Sequence, residues 1–68
     1  KNVKVKLEIF NVLGQRVKTL INEKLNPDEY EIKWDGKNDS GKLLGSGIYF
    51  YRLKAGDYVK SRKMIFLK

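Results

Sequence analysis

Apolar and polar residues alternate along the first ten positions of the chain. Period-two alternation is typical of a half-buried antiparallel strand, because successive side chains point to opposite faces. Asn11 and Gly14, both common turn residues, follow this run. The sequence therefore predicts a strand over Lys1–Phe10 that ends in a turn. Its apolar face would consist of Val3, Val5, Leu7 and Ile9, and its polar face of Lys4, Lys6 and Glu8.

The next segment, Arg16–Ile21, carries two competing patterns. Helical spacing fits its apolar residues, which with the one after it are Val17, Leu20, Ile21 and Leu25. However, the segment is short, lacks a good N-cap and follows a turn. We therefore predict a strand over Arg16–Ile21 and then a polar loop, Asn22–Asp28, which holds the only proline of the chain.

Strand and turn signals continue to the end of the chain. Further strands are predicted at Tyr30–Trp34, Ile48–Ala55 and Tyr58–Leu67, with turn residues concentrated at Asp35–Gly41, Gly45–Gly47 and Ala55–Asp57. Turn signals about every 10–12 residues are typical of sandwiches and barrels. Residues 1–68 are therefore predicted to form a single all-β domain, an immunoglobulin-like β-sandwich of about seven short antiparallel strands.

The composition argues against catalysis. The chain has neither cysteine nor histidine, which removes thiolate chemistry, the commonest metal ligand and the usual general base near neutral pH. Most of the eight carboxylates fall at outward strand positions or in turns, where we expect solvated side chains. No apolar run approaches the roughly 20 residues of a membrane helix. We expect no enzyme activity, no cofactor and no transmembrane segment.

The net charge of +7 belongs to the two ends of the chain. Residues 1–18 carry five basic side chains against one carboxylate and residues 52–68 carry six against one, whereas residues 19–51 carry four against six. If the end strands lie close together, they form one basic face suited to nucleic acid, an acidic glycan or an acidic partner. Specific nucleic-acid binding is not expected, because the alternation of Tyr30, Trp34, Tyr49 and Tyr51 favours a core over a stacking platform.

The loop Asp35–Gly41 is a weak candidate for a metal site. Asp35, Asn38 and Asp39 could supply oxygen ligands, but calcium takes six to eight oxygens and the spacing is not that of an EF-hand. Asp and Asn also cap turns through their own backbone, while neighbouring glycines adopt positive φ. The turn-capping interpretation is preferred.

The C-terminal stretch, Ser61–Lys68, is an apolar segment bracketed by cations. One interpretation is an edge strand whose lysines prevent aggregation. The other is an exposed strand that a second protein recognises by strand addition.

Three motifs in order, Leu7–Val17, Tyr30–Gly36 and Ser46–Leu53, resemble a known group. They are similar to the C-terminal sorting domains of the type IX (Por) secretion system and to the related immunoglobulin-like domain of the flagellar hook-capping protein FlgD. The ending Lys63–Lys68 resembles the basic-apolar-lysine terminus of sorting domains, which hook-cap domains usually lack. We therefore prefer the sorting domain as the closer resemblance.

The resemblance to sorting domains implies a non-catalytic secretion signal of a Bacteroidetes-type bacterium. Such a signal directs a covalently linked upstream cargo domain through the periplasm to the cell surface. Its partners would be the outer-membrane translocon and a sortase-like peptidase that attaches the cargo to a surface glycolipid. The residues matching the recognition elements are Gly47 and Tyr49, then Lys63, Met64, Ile65, Phe66, Leu67 and Lys68.

Two features depart from the family pattern. Asp28 occupies the position of a glycine that usually lies two residues before the tyrosine matching Tyr30, and residues 1–68 do not include the upstream Asn-Pro-rich segment and first strand that family members commonly carry. Two alternatives stay open. One is a FlgD-like or accessory structural interaction module of an extracellular protein, and the other is a basic nucleic-acid-binding β-module.

Overall fold

Four antiparallel strands form one sheet in the computed structural model, which describes residues 3–25 and 33–67. The strands are β1 (Val3–Phe10), β2 (Arg16–Leu25), β3 (Gly47–Ala55) and β4 (Tyr58–Phe66), in the spatial order β2-β1-β3-β4. The described residues contain no helix. The all-β prediction is confirmed, although these residues form four of the roughly seven strands expected.

Short turns set the two hairpins of the sheet. Between β1 and β2, the Oδ1 atom of Asn11 accepts hydrogen bonds from the backbone N–H groups of Leu13 and Gln15, each at 3.0 Å. This is the turn chemistry expected of asparagine. Between β3 and β4, Gly56 adopts φ 61°, which a glycine tolerates without strain.

Strand β2 is longer than its sequence pattern indicates. It continues through Asn22 and Glu23 to Leu25, so the prediction that a polar loop begins at Asn22 is wrong. The cause is pairing with β1, in which Asn22 lies opposite Lys6 and Glu23 opposite Val5. Partners in a sheet override weak local preference. The rest of the predicted loop, and most of the predicted strand Tyr30–Trp34, lie outside the described residues; Trp34 itself lies outside the four strands.

The register between β1 and β2 shifts twice, between Leu7 and Glu8 and between Ile9 and Phe10. The shifts leave Leu20 and Val17 of β2 without a directly opposite residue, as in β-bulges. The loop 33–46 docks at this irregular edge. The Asp39 N–H donates to the Val17 carbonyl at 3.0 Å, and the Asp39 Oδ1 atom accepts the Thr19 N–H at 3.1 Å.

The two sheet faces differ in chemistry. The inner face, defined here as the face that carries Ile9, holds the deepest apolar side chains, Ile9 at 2% exposure and Tyr49 at 9%. Its cross-strand pairs are Leu7 with Leu53, Ile9 with Tyr51 and Tyr49 with Met64. The outer face carries Glu8 and its lateral neighbours, because directly opposite residues of a sheet share a face.

Candidate interaction site

Three aromatic rings meet at one end of the inner face. The Trp34 ring centroid lies 5.2 Å from that of Tyr49 and 5.0 Å from that of Phe66, and the Tyr49 and Phe66 centroids are 6.3 Å apart. The interplanar angles of 73° and 74° that Tyr49 makes with its two neighbours are edge-to-face, a favourable arrangement for aromatic quadrupoles. The cluster joins the loop 33–46 to β3 and β4, so three distant parts of the sequence share one contact.

The Trp-Asp-Gly segment, residues 34–36, is shaped to build this cluster. The Trp34 Nε1–H donates to the Lys37 carbonyl at 2.9 Å, and the Leu44 N–H donates to the Gly36 carbonyl at 2.8 Å. Gly36 is buried, has φ 80° and lies directly against the Phe66 ring. A side chain at position 36 would meet both a strained backbone and an occupied space.

The Gly-x-Tyr element, Gly47 and Tyr49, opens β3 beside the aromatic cluster. The Tyr49 hydroxyl donates to the Gly45 carbonyl at 2.7 Å, so the ring fills the core while its polar end is satisfied locally. Tyr49 is buried and offers a partner little surface. A recognition role for these two residues stays a prediction, and the contacts give Tyr49 a place in the aromatic cluster.

The terminal element, Lys63–Lys68, divides between the two faces. Met64 and Phe66 are half-buried on the inner face, whereas Ile65 and Leu67 are exposed by 67% and 77%. Lys63 is exposed and Lys68 lies outside the described residues. Strand β4 is an edge of the sheet, and no backbone hydrogen bond from the described residues reaches its outer side.

The calcium candidates use their side-chain oxygens within the loop and at the β2 edge. The Oδ1 atom of Asp35 accepts the Lys37 N–H at 3.0 Å, that of Asn38 accepts two backbone N–H groups at 3.0 Å, and that of Asp39 bonds to Thr19. Over residues 3–25 and 33–67, no group of three or more acidic, histidine or cysteine side chains is arranged to hold a metal. The geometry is that of turn capping.

Glu8 lies at the centre of a cationic cluster on the outer face. Its side chain is 3% exposed, so the expectation of a solvated carboxylate at this outward position is wrong. Its Oε1 atom accepts a hydrogen bond from Arg52 at 3.2 Å, and its Oε2 atom lies 3.3 Å from Arg16 Nη1 and 3.6 Å from Lys6 Nζ. Charge-assisted contacts of this kind compensate the cost of burying a carboxylate.

The pKa of Glu8 reflects two opposed causes. Burial raises the pKa, because it disfavours the charged form, but the hydrogen bonds from Arg52 and Arg16 and the charge of Lys6 lower it. The net direction is a lowered pKa, so Glu8 is ionised at neutral pH. The feature of the sequence that could have indicated these ion pairs is that Glu8 is a single acidic residue on the polar face of an otherwise basic strand.

Comparison with known proteins identifies the family. The family model described as the FlgD Ig-like domain matches residues 1–58, which end at the first residue of β4. No curated protein and no solved structure shows significant similarity to the chain. In the described part of the chain, no helix has the length and apolarity needed to cross a membrane. The match spans more than half of the sequence and agrees with the all-β architecture, and the chain therefore belongs to the FlgD Ig-like domain family.

Proposed function

We propose that this domain is a non-catalytic interaction module of a larger extracellular protein and that partners bind it at strand β4. The proposal rests on the exposure of the side chains and of the outer backbone edge of this strand. Its first six residues, Tyr58–Lys63, are all exposed, and its outer backbone edge has no partner among the described residues. An exposed edge is a template for an added strand, which gains main-chain hydrogen bonds from it.

The side chains of β4 would select the partner. Lys60, Arg62 and Lys63 are exposed cations, and Ile65 and Leu67 are exposed apolar residues near the end of the strand. Lysines on an edge discourage pairing with a second copy of the same chain through charge repulsion. They leave pairing with an acidic strand favourable, so a heterologous partner fits this edge better than self-association.

The test compares two double variants in the full-length protein. Ile65→Asp with Leu67→Asp alters one residue at the end of β4 and one just after it, while Leu13→Asp with Leu43→Asp places the same charge on exposed residues elsewhere. We expect the first to lose binding of the native partners in quantitative co-purification and the second to keep it. Equal partner recovery with both variants, at unchanged melting temperatures, would refute a role for β4.

A second candidate function is the type IX sorting signal, and the chemistry of the terminal element favours it. Cations bracket exposed Ile65 and Leu67 in a segment that lies beyond the matched residues 1–58. Partners would then be the translocon and a sortase-like peptidase, and the cargo would reach the cell surface. The variant Ile65→Asp with Leu67→Asp in a full precursor distinguishes this function. Cargo retained in the periplasm supports sorting, and normal surface display rejects it.

A further inference from the structure

Among the residues that the structure describes, the outer face of the sheet carries more positive than negative charge. Registered positions place Lys4 opposite Lys24 and Lys6 opposite Lys54, so two like-charge pairs face each other directly across strands. Like charges at directly opposite positions destabilise a sheet. The single described carboxylate of this face is Glu8, which is buried and already bound to Arg16, Arg52 and Lys6. No ion pair joins Lys4, Lys24 or Lys54 to a carboxylate of the described residues.

An apolar patch occupies the other end of the same face. Phe10 lies opposite Phe50, and Ile48 lies opposite Ile65. Ile48, Phe50 and Ile65 are exposed by 44%, 38% and 67%. Beside them, an open groove of about 370 Å³ runs past Phe10, Val12 and Phe50. Exposed apolar residues grouped on one face are typical of interaction sites.

Arg52 and Glu8 lie between the apolar patch and the two opposed lysine pairs, and they set the distance between the patch and these pairs. The Arg52 guanidinium lies 5.1 Å from the centroid of the Phe10 ring while it bonds to Glu8, so its position is held from two sides. At about 3.3 Å per residue, Lys6 and Lys4 lie roughly 13 and 20 Å along β1 from Phe10. A ligand that contacts both ends must therefore span this distance.

We propose that the outer face binds an extended acidic segment of a partner protein, about seven residues long, with an apolar side chain at one end. Its apolar side chain would pack on Phe10, Ile48 and Phe50. Its carboxylates would lie over the two opposed lysine pairs, Lys4 with Lys24 and Lys6 with Lys54. The apolar and cationic parts of the face lie at opposite ends, whereas a nucleic-acid backbone carries charge along its whole length, so a polypeptide with separate apolar and acidic parts fits this face better. Binding neutralises charges that repel each other in the free domain, so electrostatic complementarity supplies both affinity and orientation.

The experiment uses a defined probe and a pair of matched variants. The probe is a fluorescein-labelled peptide of about ten residues, with glutamates at one end and leucine and phenylalanine at the other, a length that spans the face. Lys4→Glu with Lys54→Glu turns both like-charge pairs into opposite-charge pairs, so the melting temperature should stay the same or rise. Lys37→Glu with Lys42→Glu makes the same change of net charge on exposed residues of the loop 33–46.

Fluorescence anisotropy at physiological ionic strength measures the dissociation constant of the peptide for each variant. We expect Lys4→Glu with Lys54→Glu to weaken peptide binding about tenfold or more, and the loop control to weaken it by less than about threefold. Ile48→Ser should weaken binding as well, while Leu43→Ser should not. Equal losses in the two charge variants, no binding of the peptide, or tighter binding of a poly-thymidine oligonucleotide or phosphatidylglycerol vesicles would overturn the proposal. Ile48 lies opposite Ile65, so the variant that separates this proposal from the role of β4 is Lys4→Glu with Lys54→Glu, which leaves Ile65 and Leu67 unchanged.

Discussion

Gly36 lies directly against the ring of Phe66, so the loop 33–46 and the last residue of β4 fit together without an intervening side chain. A Cβ atom at position 36 would overlap three atoms of that ring. The contact links the Trp-Asp-Gly segment to a terminal element that lies beyond the region matched by the family model. Phe66 of the terminal element is therefore part of the folded domain, within a segment that is also a candidate for recognition.

Substitution of Gly36 by alanine tests this contact, and Gly41 provides a matched control. Both glycines have positive φ, 80° and 84°, but nothing lies within 4 Å of a Cβ at position 41. Gly41→Ala should cost only the left-handed backbone penalty of about 1–2 kcal/mol. Gly36→Ala adds overpacking, which typically costs about 1–3 kcal/mol. Urea unfolding should therefore show a larger loss for Gly36→Ala, and equal losses would disprove the packing role of Gly36.

Adjacent residues of β4 should respond very differently to truncation. Phe66 is half-buried and packs on Trp34, whereas Ile65 is 67% exposed on the opposite face. Phe66→Ala should destabilise the domain by about 2 kcal/mol, below the usual range for fully buried phenylalanine. Ile65→Ala should change the free energy of unfolding by less than about 0.5 kcal/mol. Thermal unfolding of both variants measures the difference, and a larger effect at Ile65 would contradict the assignment of the faces.

Glu8 should make the stability of the domain sensitive to acid. Its pKa is lowered in the folded state, so its stabilisation is complete above the unfolded pKa of about 4.3 and is lost as the pH falls through the folded value. Glu8→Gln should therefore destabilise the domain at pH 7, by about 1–2 kcal/mol because the two arginines are half-exposed. The difference from wild type should shrink with falling pH.

Urea unfolding of wild type and Glu8→Gln across this acidic range checks the dependence on pH. Glu23→Gln is the control, because Glu23 carries the same charge on an exposed part of β2. A constant difference between wild type and Glu8→Gln from pH 7 down to strongly acidic conditions would show that hydrogen-bond geometry, and not ionisation, gives Glu8 its effect.

Local patterns predicted the strands whose two faces differ in polarity. The alternation from Val3 to Phe10 identified β1 because period two is a property of the segment itself. The extension of β2 through Asn22 and Glu23 was not predictable in this way, since it depends on partners in β1 that only the folded register supplies. Polar residues in a sequence look the same in a loop and in a paired strand.

The environment of Glu8 depends on contacts distant in sequence. Arg52 is 44 residues away, and the hydrogen bond between the two requires β1 and β3 to pair with Glu8 opposite Arg52. The alternating pattern correctly predicted that Glu8 lies on the polar face, but we expected its carboxylate to be exposed to solvent. For the aromatic residues the prediction was closer. The alternating pattern predicted that Tyr49 and Trp34 lie in a core, and their rings are in contact in the folded domain.

Asp39 should hold the loop 33–46 on the edge of β2 through its side-chain oxygen. Asp39→Ala removes the acceptor for the Thr19 N–H, whereas Asp39→Asn keeps an oxygen in its place. Loss of such a bond typically costs about 0.5–1.5 kcal/mol. We expect faster amide hydrogen exchange at Thr19 in Asp39→Ala, near-normal exchange in Asp39→Asn, and no change of the loop resonances when calcium is added to wild type. Slowed exchange on calcium addition, lost in both variants, would instead make Asp39 a metal ligand.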